Sequence, residues 1–225
     1  MTDVTDGFAG EADGDRFAGA AATSATHGRQ RRVRSDVLWW DQSMTTSPSV
    51  LYLLGSAAPP VLDIADVVRR AQADGWSVCV GLTTTAAEWL EDRLPALEEQ
   101  TGNPVRSAVR KPADVEVWPR ADVAVLAPAT LNTVNVAALG LTPHFVGGYV
   151  AEAIGKRWPL VVMPCVNSAY ATHPQFGRSI ETLRGAGVRV LYGDGGFQPK
   201  PPGQGDTATY PWHLALDTAA EAART

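Results

Sequence analysis

The sequence predicts an α/β fold in which helices cover both faces of a doubly wound, Rossmann-like parallel sheet. From Val50 onward, short apolar runs alternate with amphipathic stretches, which is the pattern of βα units around a buried parallel sheet. The chain has 225 residues, of which 45% are hydrophobic and 19% are charged, and this size suits one ordinary domain. We therefore expect a single three-layer α/β/α domain over residues 48–225.

Continuous apolar runs predict the strands, because a strand of a parallel sheet is buried on both faces. These runs are residues 50–54, 77–82, 123–127, 160–163 and 188–192. The two cysteines, Cys79 and Cys165, lie inside or at the end of such runs, so a disulfide framework is not expected. Their placement favours the reducing cytoplasm as the location.

Amphipathic spacing predicts helices between these strands. The first helix opens at Pro59 and Pro60, since proline is favoured in the first turn, and ends at Gly75. In the second helix, Pro95 is expected to kink the helix or to divide it in two. The second and later helical stretches are residues 85–100, 133–154, 179–186 and 211–223, and a loop rich in glycine and proline precedes the last of them.

The first 47 residues differ in composition from the rest of the chain. They are rich in Gly, Ala, Thr, Ser and Asp and poor in large apolar residues, so they cannot bury enough surface to offset the entropy of ordering. We expect residues 1–47 to form a disordered tail, which lacks the charged-then-apolar pattern of a secretory signal.

The longest apolar run, near residues 121–127, is far shorter than the roughly 20 residues that span a bilayer. No membrane partner is expected, and the net charge of −5 argues against nucleic acid.

Small neutral hydroxyl and amide residues follow the predicted strands at the edge where open parallel sheets bind ligands. Backbone N–H groups at helix starts, together with Ser and Thr hydroxyls, hold a phosphate monoester without Lys or Arg. The same residue types also serve as plain helix N-caps, so a purely structural role stays open for each loop. The four loops together favour an organic phosphate as the ligand. They are residues 55–58, 83–85, 128–133 and 164–168.

Two common nucleotide motifs are missing from the sequence. The dinucleotide pattern G-x-G-x-x-G does not follow the first strand, and the P-loop pattern does not occur. NAD, FAD and ATP are therefore disfavoured, whereas FMN has one phosphate and a flat apolar ring that suit short hydroxyl loops. The histidines lack partners at zinc-site spacing, so no metal is expected.

Two segments resemble the motifs of the flavin-containing cysteine decarboxylases, which include phosphopantothenoylcysteine decarboxylases and lantibiotic peptide decarboxylases. Residues 127–133 read Ala-Pro-Ala-Thr-Leu-Asn-Thr and residues 164–170 read Pro-Cys-Val-Asn-Ser-Ala-Tyr, where the family has P-A-S-A-N-T and P-x-M-N-x-x-M-W. The G-S and L-T elements of the family also have counterparts here. The resemblance covers residues 49–194 and implies a doubly wound sheet, FMN, and an oligomer of trimeric units with the flavin near a subunit contact.

The resemblance also implies roles for individual residues. In that family the flavin oxidises the cysteine side chain of the substrate to a thioaldehyde, and the neighbouring carboxylate then leaves as carbon dioxide. The asparagine of the second motif binds the substrate carboxylate, which implies that role for Asn167. The residues implied to bind the cofactor are Gly55, Ser56, Thr83, Thr130, Asn132 and Thr133.

Several positions depart from the family pattern. Asp114 stands where the family has a catalytic histidine, and an aspartate accepts a thiol proton only if burial raises its pKa. Glu116, which matches a glutamate of the family, is the other candidate base. Val166 and Tyr170 replace the motif methionines, and the cysteine that phosphopantothenoylcysteine decarboxylases carry near the last strand is missing. These changes argue against a role in coenzyme A biosynthesis.

Three functions stay open at the level of sequence. The first is an FMN-dependent decarboxylase, a carboxy-lyase of a small or peptidyl carboxylate of the cysteine type, with Asn167 and Asp114 as catalytic residues in a homotrimer or higher homo-oligomer. The second is a non-catalytic subunit that regulates a partner, since relatives without the histidine can serve as regulators. The third is an enzyme like the flavin prenyltransferases, which would need cations such as Lys156 and Arg157 to hold a prenyl phosphate.

Overall fold

The computed structural model describes residues 48–109 and 111–225, and the predicted tail over residues 1–47 lies outside this part of the chain. A five-stranded sheet with the order β2-β1-β3-β4-β5 lies at its centre, and all of its strand pairs are parallel. The strands are β1 (Val50–Gly55), β2 (Ser77–Leu82), β3 (Val123–Ala129), β4 (Leu160–Pro164) and β5 (Arg189–Val190).

Helices connect the strands and pack on both faces of the sheet. This arrangement confirms the predicted doubly wound α/β class. The α-helices of the described residues are α1 (Ile64–Ala73), α2 (Thr84–Trp89), α3 (Leu94–Thr101), α4 (Leu131–Leu139), α5 (Phe145–Lys156), α6 (Ser168–Ala171), α7 (Pro174–Gly185) and α8 (Trp212–Ala222). None of them is both long and apolar enough to cross a membrane.

Two predicted helices are each divided in the structure. Pro95 occupies the first turn of α3, where its missing N–H costs nothing, so the stretch 85–100 becomes α2, a short 3-10 turn and α3. The stretch 133–154 is interrupted at Gly140, whose backbone lies in the left-handed region with φ of 66° and caps α4. The short helix α6 has no counterpart among the predicted elements.

The core has two halves, one on each face of the sheet. Helices α1, α2, α3 and α8 pack against the face that carries Leu51, Leu53 and Val125, and all three side chains are fully buried. Helices α4, α5 and α7 cover the opposite face, which carries the alternating residues Leu54 and Leu126. This period of two along buried strands produces the three-layer arrangement.

The strand order reverses between β1 and β3, because β1 lies between β2 and β3 while the chain continues outward through β4 and β5. The carboxyl ends of β1 and β3 therefore meet where their connections leave in opposite directions. In open α/β sheets this switch point is the usual place for a ligand.

The last strand is shorter than the predicted run of residues 188–192. After Val190 the chain turns back on itself through Gly193 and Gly195, which have φ values of 85° and 80° that only glycine adopts without strain. The N–H of Phe197 then donates to the carbonyl of Leu191 at 3.1 Å. This reversal brings the following loop, residues 196–211, back over the carboxyl edge of the sheet.

Candidate functional site

A cavity of about 630 Å³ lies at the carboxyl edge of the sheet, and we call it the edge cavity. Its volume falls in the range of small-molecule sites. Four parts of the chain form its walls: the loop after β1, the start of α4, the loop after β4, and the C-terminal loop over residues 196–211. The lining includes Ala57, Thr130, Cys165, Asn167, Phe197 and Tyr210.

The start of α4 offers hydrogen-bond donors to this cavity. Thr130 caps the helix, because its hydroxyl accepts from the N–H of Thr133 at 3.3 Å and lies 3.0 Å from the Thr133 hydroxyl. In the described part of the chain, the N–H groups of Leu131 and Asn132 have no acceptor, as is usual in a first helical turn. Such a helix start attracts the oxygens of a phosphate.

Ser56 supports this loop from behind. Its hydroxyl is buried, donates to the carbonyl of Pro128 at 2.7 Å and accepts from the N–H of Thr130 at 2.9 Å. The hydroxyl proton is therefore engaged within the protein, and Ser56 ties the end of β1 to the cap of α4. Ser56 does not belong to the lining of the edge cavity.

Gly55 and Thr83 also lie behind the cavity wall. A Cβ at Gly55 would come within 3.0 Å of Val61 Cγ2 and 3.2 Å of Leu82 Cδ2, so the glycine allows close packing of the core. The Thr83 hydroxyl caps α2 by accepting from the N–H of Ala86. The structure thus places Thr130 at the cavity surface but leaves Gly55, Ser56 and Thr83 out of the lining.

Asn167 presents a free amide to the edge cavity. Its Oδ1 accepts from the N–H of Tyr170 at 2.9 Å and caps α6, which fixes the orientation of the amide. Within the described residues, Nδ2 has no hydrogen-bond acceptor, so both of its N–H groups can donate. A carboxylate accepts such a pair of donors well. Asn132 and Thr133 follow Thr130 in α4, but neither belongs to the lining of the edge cavity, and Asn132 is exposed while Thr133 is buried.

The floor of the edge cavity holds groups that stay neutral near pH 7. Cys165 is partly buried, and burial raises the pKa of its thiol to about 11. Burial also raises the pKa of Tyr210 well above its ordinary value, and the Tyr210 hydroxyl donates to the carbonyl of Met163 at 2.8 Å. An anionic ligand therefore meets no negative charge from these two side chains.

The sequence analysis missed the C-terminal loop as part of the site. Lys200, Asp206 and Thr209 all line the edge cavity, and the carbonyl of Lys200 accepts from the N–H of Ser168 at 2.9 Å. The unusual length of the loop was the available signal, because long irregular loops in compact domains are often functional. Its return over the sheet depends on the turn after β5.

A second cavity, of about 480 Å³, lies beside α5, and we call it the aromatic cavity. Its rings contact one another in series, with centroid distances between 4.7 and 6.0 Å. The rings are Tyr52, Trp118, Phe145, Tyr149 and Trp158. The guanidinium of Arg106 lies 4.7 Å from the Phe145 ring centroid and pairs with Glu116 at 3.0 Å.

The two carboxylates considered as bases have different surroundings. Oε1 of Glu116 accepts from Arg106 and from the N–H groups of Val117 and Trp118, so it holds the loop before β3 in place. Asp114 lies in an exposed turn, where its Oδ2 accepts from the N–H of Lys111 at 2.7 Å. Asp114 lines neither of the two cavities of its own chain. The structure therefore does not bring Asp114 and Asn167 together within one cavity.

The parallel sheet and its strand order define a protein of the doubly wound class, and the cavity at the switch point carries a helix start and an oriented amide that can donate hydrogen bonds. The Flavoprotein family matches residues 41–218, which is most of the chain, and this protein belongs to that family. The predicted family resemblance is thereby confirmed, and with it the flavin as the class of cofactor. No curated protein matches the chain.

Solved structures of this fold are similar over most of the chain. The FMN-dependent cysteine decarboxylase TvaF from thioviridamide biosynthesis is 19% identical with a TM-score of 0.60, covering 79% of this chain and 99% of that one. A PPC decarboxylase variant complexed with pantothenoylaminoethenethiol is 18% identical with a TM-score of 0.57, covering 79% and 100%. AnUbiX in complex with FMN and dimethylallyl pyrophosphate is 11% identical with a TM-score of 0.54, covering 64% and 78%. At these identities the likeness concerns the fold.

Proposed function

We propose that this chain is an FMN-dependent decarboxylase acting on a small or peptidyl carboxylate of the cysteine type. The observation that carries the proposal is the Asn167 amide, which faces the edge cavity with two unpaired donors while its oxygen is fixed on the Tyr170 N–H. The same cavity includes the helix start that suits a phosphate. The substrate class is also that of TvaF, which is described as a cysteine decarboxylase.

The residues of the edge cavity fit FMN. The start of α4, with the Thr130 hydroxyl and the N–H groups of Leu131 and Asn132, would hold the phosphate. Small side chains at Ala57 and Ala58 leave room at the end of β1, and Val166 and Phe197 supply apolar wall for a flat ring. FMN, when bound, supplies the two-electron oxidation of the substrate thiol.

Asn167 orients the substrate in this proposal. Its two N–H groups donate to the carboxylate that is lost, and because the amide is neutral it does not stabilise the carboxylate as strongly as a cation would. That difference matters because carbon dioxide leaves without charge, and tight binding of the charged ground state would raise the barrier. The neutral Cys165 thiol beside it adds no repulsion.

Asp114 completes the site only if a second copy of the chain supplies it, since it does not line the edge cavity of its own chain. Exposed apolar side chains surround this region and the α4–α5 connection, which favours a homotrimer or higher oligomer. These are Val109, Val115, Val117, Leu139 and Leu141. In this arrangement Asp114 accepts the thiol proton when the subunit contact buries it.

The free cysteines agree with a cytoplasmic location.

The cofactor is tested first. Purified protein should show the visible absorbance of a flavin and release FMN on denaturation. Thr130→Trp and Asn132→Trp should lower the FMN content without unfolding the domain, whereas Thr182→Trp on the exposed side of α7 should not. A colourless protein that takes up no added FMN would refute the proposal.

The reaction is tested by carbon dioxide release under anaerobic conditions from cysteine-terminated peptides and phosphopantothenoylcysteine. Asn167→Asp should abolish turnover and leave FMN bound, because the new charge repels the substrate carboxylate. Asp114→Asn should also stop carbon dioxide release, and Asp114→His should preserve it. Activity that survives both Asn167→Asp and Asp114→Asn would reject the site.

A non-catalytic regulatory subunit is the second candidate. The observation in its favour is that Asp114 replaces the histidine of the resembled family and lies in an exposed turn. Full FMN content without turnover of any thiol carboxylate would support this function instead. The two cations considered for the prenyltransferase-like alternative, Lys156 and Arg157, are not among the residues that line the edge cavity.

A further inference from the structure

The edge cavity contains a cation that the proposed reaction does not use. Among the described residues that line it, Lys200 is the only Lys or Arg and Asp206 is the only carboxylate. Lys200 is exposed to solvent, so its ammonium is accessible to a ligand in the mouth of the cavity.

Within residues 48–109 and 111–225, no ion pair neutralises the positive charge of Lys200. Its Nζ donates to the Thr209 hydroxyl at 3.0 Å, and that hydroxyl donates in turn to the carbonyl of Asp206 at 2.8 Å. No carboxylate of the described residues lies within ion-pair distance of Nζ. An ammonium has three N–H groups, so two of them can donate to a ligand.

The backbone fixes Lys200 beside the carboxylate-binding loop. Its carbonyl accepts from the N–H of Ser168, the residue that follows Asn167. Pro199 and Pro201 on either side restrict the backbone of this short segment. Lys200 is thus tied to the neighbour of Asn167, and its Nζ donates to the hydroxyl of Thr209, which lines the same cavity.

We propose that Lys200 is a specificity-determining residue that binds a second anionic group of the substrate, a carboxylate or a phosphate, away from the carboxylate that is lost. This inference rests on the proposed function of the site. A cation on the reacting carboxylate would stabilise the ground state and oppose loss of carbon dioxide, whereas a cation on a retained anion contributes equally before and after the reaction. Asn167 and Lys200 therefore bind different groups of one substrate.

The carboxylate of Asp206 limits how tightly Lys200 binds the second anionic group of the substrate. Its Oδ1 accepts from the N–H of Ala208 at 3.0 Å, which keeps the carboxylate in the cavity wall near the Lys200 loop. A second anion in the mouth of the cavity is repelled by this charge. Asp206→Asn should therefore strengthen binding of substrates that carry the anion and leave neutral ones unchanged.

The test measures equilibrium binding to the full chain with FMN bound, using ligands whose thiol is replaced by a hydroxyl so that they do not react. One pair is a Ser-terminated pentapeptide with either Asp or Asn upstream, and the other is pantothenoylserine with and without a phosphate. The wild-type protein should prefer the charged member of at least one pair, and the pair that shows the preference identifies the anion. Lys200→Gln should weaken binding of that member about threefold to tenfold, the range of partly exposed charged contacts. Lys200→Arg should retain most of the preference.

The control variant is Arg69→Gln, which removes an exposed cation from α1 outside the edge cavity and changes the net charge by the same amount. This variant should bind both pairs of ligands with the same affinities as the wild-type protein. Absence of a charge preference in the wild type, or an equal loss for charged and neutral ligands in Lys200→Gln, would overturn the inference. If the preference holds but the cysteine-terminated counterparts release no carbon dioxide, Lys200 recognises the anion and the proposed decarboxylase function fails.

Discussion

The edge cavity and the aromatic cavity differ in how their polar groups are satisfied. In the aromatic cavity Arg106 pairs with Glu116, the Trp118 indole N–H donates to Pro104, and the Tyr52 hydroxyl donates to Pro119. In the edge cavity the Asn167 amide and the Lys200 ammonium keep N–H groups that have no acceptor among the residues that the structure describes. Both cavities are large enough for a small molecule, so volume alone does not distinguish a binding site.

The difference supports a structural role for the aromatic cavity and the ligand-binding role that we propose for the edge cavity. Edge-to-face rings and a stacked guanidinium contribute packing and electrostatic energy to the folded state. Gly81 permits this packing, because a Cβ there would come within 2.9 Å of the Phe145 ring. Three experiments test this proposed division between the two cavities.

The largest effect is expected at Trp118, which is 5% exposed and contacts two rings. Trp118→Ala should lower the free energy of unfolding by about 3–5 kcal/mol, because it removes a buried ring and leaves a void. Tyr170→Ala, which removes a 53% exposed ring from the edge cavity, should cost less than about 1 kcal/mol. Urea denaturation of both variants measures the difference. Similar losses would contradict the assigned roles.

A smaller effect is expected at Ser56, which connects the fold to the edge cavity. Ser56→Ala leaves the Thr130 N–H without its buried acceptor and should cost about 1–3 kcal/mol of stability. It should also lower FMN content, since the cap of α4 loses its support. Ser168→Ala is the matched control, because its hydroxyl makes no hydrogen bond within the described residues, and it should change stability by less than about 0.5 kcal/mol. Equal effects in the two variants would show that Ser56 does not support the site.

The smallest effect is expected in the rates at which Cys79 and Cys165 react with iodoacetamide at pH 7. Burial raises the pKa of Cys165 to about 11, so the thiolate that reacts with iodoacetamide is scarce at pH 7 and increases as the pH rises toward that value. Cys79 is fully buried, its pKa is raised to about 12 mainly by burial, and it should stay unlabelled in the folded protein. Mass spectrometry of labelled peptides measures both rates, and bound FMN should protect Cys165. Rapid labelling of Cys165 at pH 7 would contradict its neutral state.

The sheet and most of the helices could be predicted from the order of residues alone. The apolar runs predicted all five strands, because burial on both faces leaves a continuous hydrophobic stretch. Local chemistry also placed the caps, since Thr130 and Asn167 bind N–H groups only three residues away. The motif residues that carry the family resemblance are of this local kind, and this is why the family could be inferred before the fold was known.

Which motif residues line the edge cavity depends on tertiary packing, which the sequence does not show. Gly55 packs against Val61 and Leu82, Ser56 bonds to the Pro128 carbonyl and Thr83 caps α2, and none of the three lines the edge cavity as Thr130 does. The contribution of Lys200 and Tyr210 depends on contacts with residues 168 and 163, far away in the chain. Such contacts leave no periodic trace in the sequence, because they depend on how a long loop crosses the sheet edge after the strands have assembled.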